Sequence, residues 1–115
     1  MNKFTAPLIL FTGEVISIAA EVYGAKFFGM DANNFKAVFW RLAVPISVGA
    51  WLLLAGYMLS MEVFKNIWIV SVISITSILI AEPIIDYTIT GQLPTRGAFI
   101  GLILGILGLI AALFL

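Results

Sequence analysis

The sequence predicts an all-α polytopic membrane protein with four transmembrane helices, and three observations carry that prediction. Apolar residues make up 63% of the 115-residue chain and charged residues only 10%, against about 45–50% and about 25% in soluble globular domains. The apolar residues fall into four runs, each near the roughly 20 residues a helix needs to cross a bilayer core. Three short polar segments separate the runs. A water-soluble fold of this length could not hide so much apolar surface, so residues 1–115 are expected to form a single four-helix transmembrane domain in the lipid bilayer.

The first span is expected over about 4–28, interrupted only by Glu14, Glu21 and Lys26. Its start, Met1-Asn2-Lys3-Phe4, has the single positive charge of a signal peptide. The run carries two acids and is followed by three more spans, so it reads as a membrane helix. Gly29-Met30-Asp31-Ala32-Asn33-Asn34 supplies the turn-forming residues of the first loop.

The second span is expected over about 37–61, with Arg41 near its start and Pro45 one turn on; a proline so near an end costs little. Glu62, Lys65 and Asn66 close it, and the link is so short that the second and third spans must be antiparallel neighbours. The third span is expected over about 67–90, beginning with Trp68 at interface depth and carrying Glu82, Pro83 and Asp86. Gly91-Gln92-Leu93-Pro94-Thr95-Arg96 forms the third loop, and the uncharged run 97–115 is the fourth span. Gly101, Gly105 and Gly108 lie on it, the first two as a small-xxx-small ridge that lets another helix backbone approach. Membrane strands are excluded, because a barrel needs at least eight alternating strands and these four runs are apolar on every side.

Composition narrows the chemistry further. Six basic residues balance six acidic ones without a long basic run, so nucleic acid is not an expected partner. Without cysteine or histidine, thiol chemistry and Cys- or His-based metal sites are excluded. No nucleophile–base pair or metal spacing suggests an enzyme, and no cofactor is expected. What remains is the set of acids within the spans. Each costs about 2.5–3.5 kcal/mol at the centre of a spanning helix, which makes an intramembrane carboxylate a functional candidate by default.

Glu14 and Glu21 are seven residues apart, hence on one face of the first helix and about 10 Å apart along its axis. Ala19, Ala20 and Gly24 leave room beside Glu21 for a solute or another helix. A buried carboxyl at which protonation competes with cation binding is the physical requirement for proton-coupled exchange. The alternative is structural pairing of Glu21 with Lys26 or Arg41. Tyr23 is the aromatic residue best placed in sequence to join Glu21, although two residues along a helix point in nearly opposite directions. Glu82 and Asp86 share a face of the third span and stand either as secondary site residues or at the water interface. The remaining aromatics, Trp40, Trp51, Tyr57, Trp68 and Tyr87, fit interfacial belts.

The segment Ala20-Glu21-Val22-Tyr23-Gly24 is similar to the Ala-Glu-Val-x-Gly segment of the small multidrug resistance family, within the drug/metabolite transporter superfamily. Lys26 corresponds to the lysine that ends the family's first helix. The run Gly56–Asn66 resembles the superfamily's link between spans two and three. Glu82-Pro83-Ile84-Ile85, Gly91-Gln92-Leu93-Pro94 and the span-four glycines resemble its ending. The resemblance implies a four-helix, proton-coupled exporter or antiporter of a small cationic or polar molecule, in a prokaryotic cytoplasmic membrane. It further implies a homodimer with protomers inserted in opposite orientations and Glu21, rather than Glu14, as the essential carboxylate; by its own position Glu14 stands as a second site, an entry-path carboxylate or a polar helix–helix contact. Anchored on Gly91-Gln92, the family's span-three tyrosine and tryptophan fall on Ser71 and Ser74, so a polar cation or a lipid-linked head group replaces the polyaromatic drug. A flippase-type subunit and a non-transporting scaffold subunit are the alternatives. Lys3 and Lys65 face one side of the membrane and Lys36, Arg41 and Arg96 the other, a bias too small to fix orientation.

Overall fold

A computed structural model describes residues 3–30 and 32–115 of the chain. It contains α1 (Thr5–Met30), α2 (Phe35–Phe64), α3 (Ile67–Thr90) and α4 (Arg96–Phe114), with a 3₁₀ turn at Ala32–Asn34 and no strand among the described residues. All four helices are long and apolar enough to cross a membrane. The chain is an all-α, four-helix integral membrane protein. Asp31 and the side chains of residues 29, 30 and 32, part of the expected first loop, lie outside the described residues.

Local chemistry sets the helix ends. The second helix runs past the expected 61 because Glu62 is exposed and can continue the helix; termination comes where Lys65 takes a left-handed backbone (φ 56°) and its N–H bonds the Met61 carbonyl. Asn66 then caps α3 by accepting from the Trp68 N–H at 2.9 Å. Two residues therefore make the whole α2–α3 link. Gly91, at φ 70°, ends α3 with its N–H on the Tyr87 carbonyl, and the Thr95 hydroxyl accepts from the Ala98 N–H to start α4. Asn34 Nδ2 bonds the Phe27 carbonyl, and Lys26 Nζ bonds that of Ile89 at 2.8 Å. Both satisfy acceptors in final turns that have no intrahelical donor.

Hydroxyl groups in lipid also need acceptors. Thr12, Ser47, Thr76, Ser77, Thr88 and Thr90 each donate to the carbonyl four residues earlier, so these polar residues are compatible with spanning helices. Ser74 instead donates to another helix.

The tightest helix contact joins α1 to α2 through glycines. Gly13 and Gly49 face each other's helix backbone, and Gly56 lies so near α1 that an added Cβ would sit 2.7 Å from Leu10 Cα. Such approach allows van der Waals packing where lipid supplies no hydrophobic drive. The small-residue ridge expected on α4 plays a different part within this chain. Gly105 meets Leu79 of α3, while added Cβ atoms at Gly101 and Gly108 would meet nothing within 4 Å. Among the described residues α4 packs only on α3 and has none of its own residues buried. The backbone measures 46 × 34 × 17 Å, with α1 between α2 and α3 and α4 at one side.

Candidate functional site

Helix register brings the acids together. Ser74 Oγ donates to Glu14 Oε1 at 2.6 Å and Lys26 reaches Ile89, pairs separated by 60 and 63 residues, so α3 runs beside α1 in the same direction. An intermediate offset of 61 (82 − 21) sets Glu82 level with Glu21. Glu14, Glu21 and Glu82 line one cavity of about 340 Å³, with Ser17, Ile46 and Leu53 among its other walls. Glu14 and Glu21 stand on the α1 wall and Glu82 on the α3 wall, and among the described residues no group of three or more acidic side chains is placed to hold a metal ion.

The two α1 acids differ in setting. Glu14 is only 8% exposed and held by Ser74, whereas Glu21 is exposed on the single chain and has no ion-pair partner among the described residues. The structural pairing of Glu21 with Lys26 or Arg41 is not found, because Lys26 is spent on the end of α3. Ser74 thus enters the site as Glu14's donor. Ser71 is half-buried beside it in sequence but is not among the cavity's lining residues.

Glu21 also lines a cleft of about 520 Å³ between α1 and α2, with Ala20, Gly24, Phe28, Phe35 and Phe39. The Phe28 and Phe35 rings meet edge-on and the Phe35 and Phe39 rings stack, each with centroids 5.6 Å apart. Ser47, the cleft's other polar residue, has its hydroxyl bonded to Ala43. Sequence reading missed these phenylalanines; the i, i+4 spacing of Phe35 and Phe39 was the available signal. Tyr23 does not join them. It projects away from Glu21, is 46% exposed and packs on Phe27 at 4.7 Å.

Glu82 opens in turn onto a groove of about 610 Å³ between α3 and α4, lined by Asp86, Tyr87, Gln92 and Thr95. Neither acid stands at the very end of α3. Glu82 lies eight residues before Thr90, about 12 Å in, and Asp86 four, about 6 Å in. The three cavities therefore adjoin in series, joined at Glu21 and at Glu82, and none of their lining residues is basic.

No family model, no curated protein and no solved structure matches the chain.

Proposed function

We propose that the chain is a small proton-coupled transporter, an antiporter that exports a cationic or polar small molecule and works as a homodimer around Glu21. The observation that carries this reading is the meeting of Glu14, Glu21 and Glu82 on one intramembrane cavity lined by no basic residue. Three carboxylates so placed need protons or a cation to balance them, and an exchange of one for the other is coupled transport. Glu21 is the coupling residue because, of the three carboxylates, it is the one that faces both the acidic cavity and the α1–α2 cleft. The segment Ala20–Gly24 supports the same choice through its resemblance to the small multidrug resistance family, and a prokaryotic cytoplasmic membrane and an antiparallel dimer go with that resemblance. Glu14, fixed by Ser74, serves as the deeper second carboxylate.

One observation favours a second reading. An apolar cleft opening beside a carboxylate also fits a flippase-type subunit, with the chain of a lipid in the cleft and its polar head group in the acidic cavity.

Proton release tests the main reading. Purified protein in weak buffer with a pH indicator is given tetraphenylphosphonium or choline, and the parent chain should release protons with at least one of them. Glu21→Gln should abolish the release while keeping the fold. Silence of the parent toward both would remove the carrier reading and leave a flippase-type or scaffold subunit; release unchanged in the variant would remove Glu21 as the coupling residue.

A further inference from the structure

We propose that Glu82 and Asp86 form a proton route from the acidic cavity to water at the 91–95 loop, separate from the apolar cleft beside Glu21. The inference rests on the transporter reading and adds to it residues on which the family resemblance confers no role.

Three observations carry it. The acidic cavity and the α3–α4 groove share Ile78 and Glu82, so Glu82 faces Glu14 and Glu21 on one side and the groove on the other. Asp86 follows one turn later on the same face, and Tyr87 and Gln92 carry polar groups on toward the loop, where the Thr90 hydroxyl is bonded to the Asp86 carbonyl and that of Thr95 accepts from the Ala98 N–H. The groove is walled mostly by apolar residues, but at about 610 Å³ it has room for ordered water, and Glu82, Asp86, Tyr87 and Gln92 are the polar partners such water requires. Independently, Pro83 has no N–H, which denies the Leu79 carbonyl its donor four residues on; both residues line the groove. A carbonyl so placed at membrane depth calls for another donor, and water in the groove is the one within reach. The α1–α2 cleft offers no such chain, since the Ser47 hydroxyl is bonded to Ala43 and Glu21 is its only other polar lining group.

Transfer along the route is balanced. A proton passes through water from the Asp86 carboxyl to the Glu82 carboxylate and on to Glu21 or Glu14, each donor returning to carboxylate. The titratable groups facing Glu82 are Glu14 and Glu21 from α1 and Asp86 and Tyr87 from α3 itself; α2 and α4 contribute none to these linings.

The test is a pH jump on the full chain in lipid nanodiscs, with protonation of carboxyls followed by their infrared C=O bands. Glu82→Gln should slow protonation of the remaining acids roughly 100-fold, the low end for a positioned proton-transfer group, and Asp86→Asn should slow it to a smaller degree. Ala98→Phe fills the groove from exposed α4 without removing an acid and should slow it as well, which covers a failure of Glu82→Gln to fold. Parent-like rates in Glu82→Gln and Asp86→Asn, or in Ala98→Phe where the first does not fold, would overturn the route. A parent that takes up protons this way yet releases none on adding cations would instead count against the transporter reading alone.

Discussion

At the residue scale, the bond from Ser74 to Glu14 makes a prediction that separates the two α1 acids. Ser74→Ala leaves the Glu14 carboxylate buried without its donor, a loss of about 1–3 kcal/mol. Reversible unfolding in mixed micelles should report this, and a parent-like midpoint would show that the bond contributes nothing. Glu14→Gln retains an acceptor for Ser74, so it should fold and weaken exchange less than Glu21→Gln does; an inactive Glu14→Gln beside an active Glu21→Gln would exchange the roles. The acids themselves were legible in the sequence because ionisable residues in apolar runs are rare. Their setting was not. Which of Glu14 and Glu21 is buried depends on how α3 lies against α1, and Ser74 carried no signal as a donor because most hydroxyls here bond their own helix.

At the element scale, the helices were readable from run length and from turn residues such as Gly91, while their packing was not. In spans apolar on every side, periodicity does not show which face meets a neighbour. The α4 glycines therefore drew notice, while the close contact fell to Gly13, Gly49 and Gly56. Gly56→Val should cost about 1–3 kcal/mol, since its Cβ meets α1 backbone that cannot swing aside. Gly97→Ala, with nothing within 4 Å, should lie within about 0.5 kcal/mol of the parent. Equal effects in an unfolding assay would refute the tight α1–α2 crossing. Gly108→Leu is the cleaner probe of association, because an added Cβ there meets nothing within 4 Å and Gly108 lines none of the three cavities, whereas Gly105 already touches Leu79 and Gly101 lines the α3–α4 groove. Crosslinking in detergent should fall if α4 joins two protomers, and an unchanged pattern would move the interface elsewhere.

At the scale of the whole molecule, α4 packs only on α3 among the described residues and Glu21 is exposed on the single chain, which suits a site completed by a second protomer. Three cavities follow in series: an apolar cleft at Glu21, the acidic cavity, and beyond Glu82 a groove that carries Asp86, Tyr87 and Gln92. None of that continuity could be read from the chain, since it depends on the 60–63 residue offset between α1 and α3. The central claim is exchange of a cation for protons at Glu21. The most direct measurement is proton flux in proteoliposomes loaded with tetraphenylphosphonium or choline and diluted into medium lacking it, with an internal pH dye as the reporter. The account predicts acidification of the lumen as the cation leaves, abolished by Glu21→Gln; no acidification with either cation, or the same acidification in the variant, would contradict it.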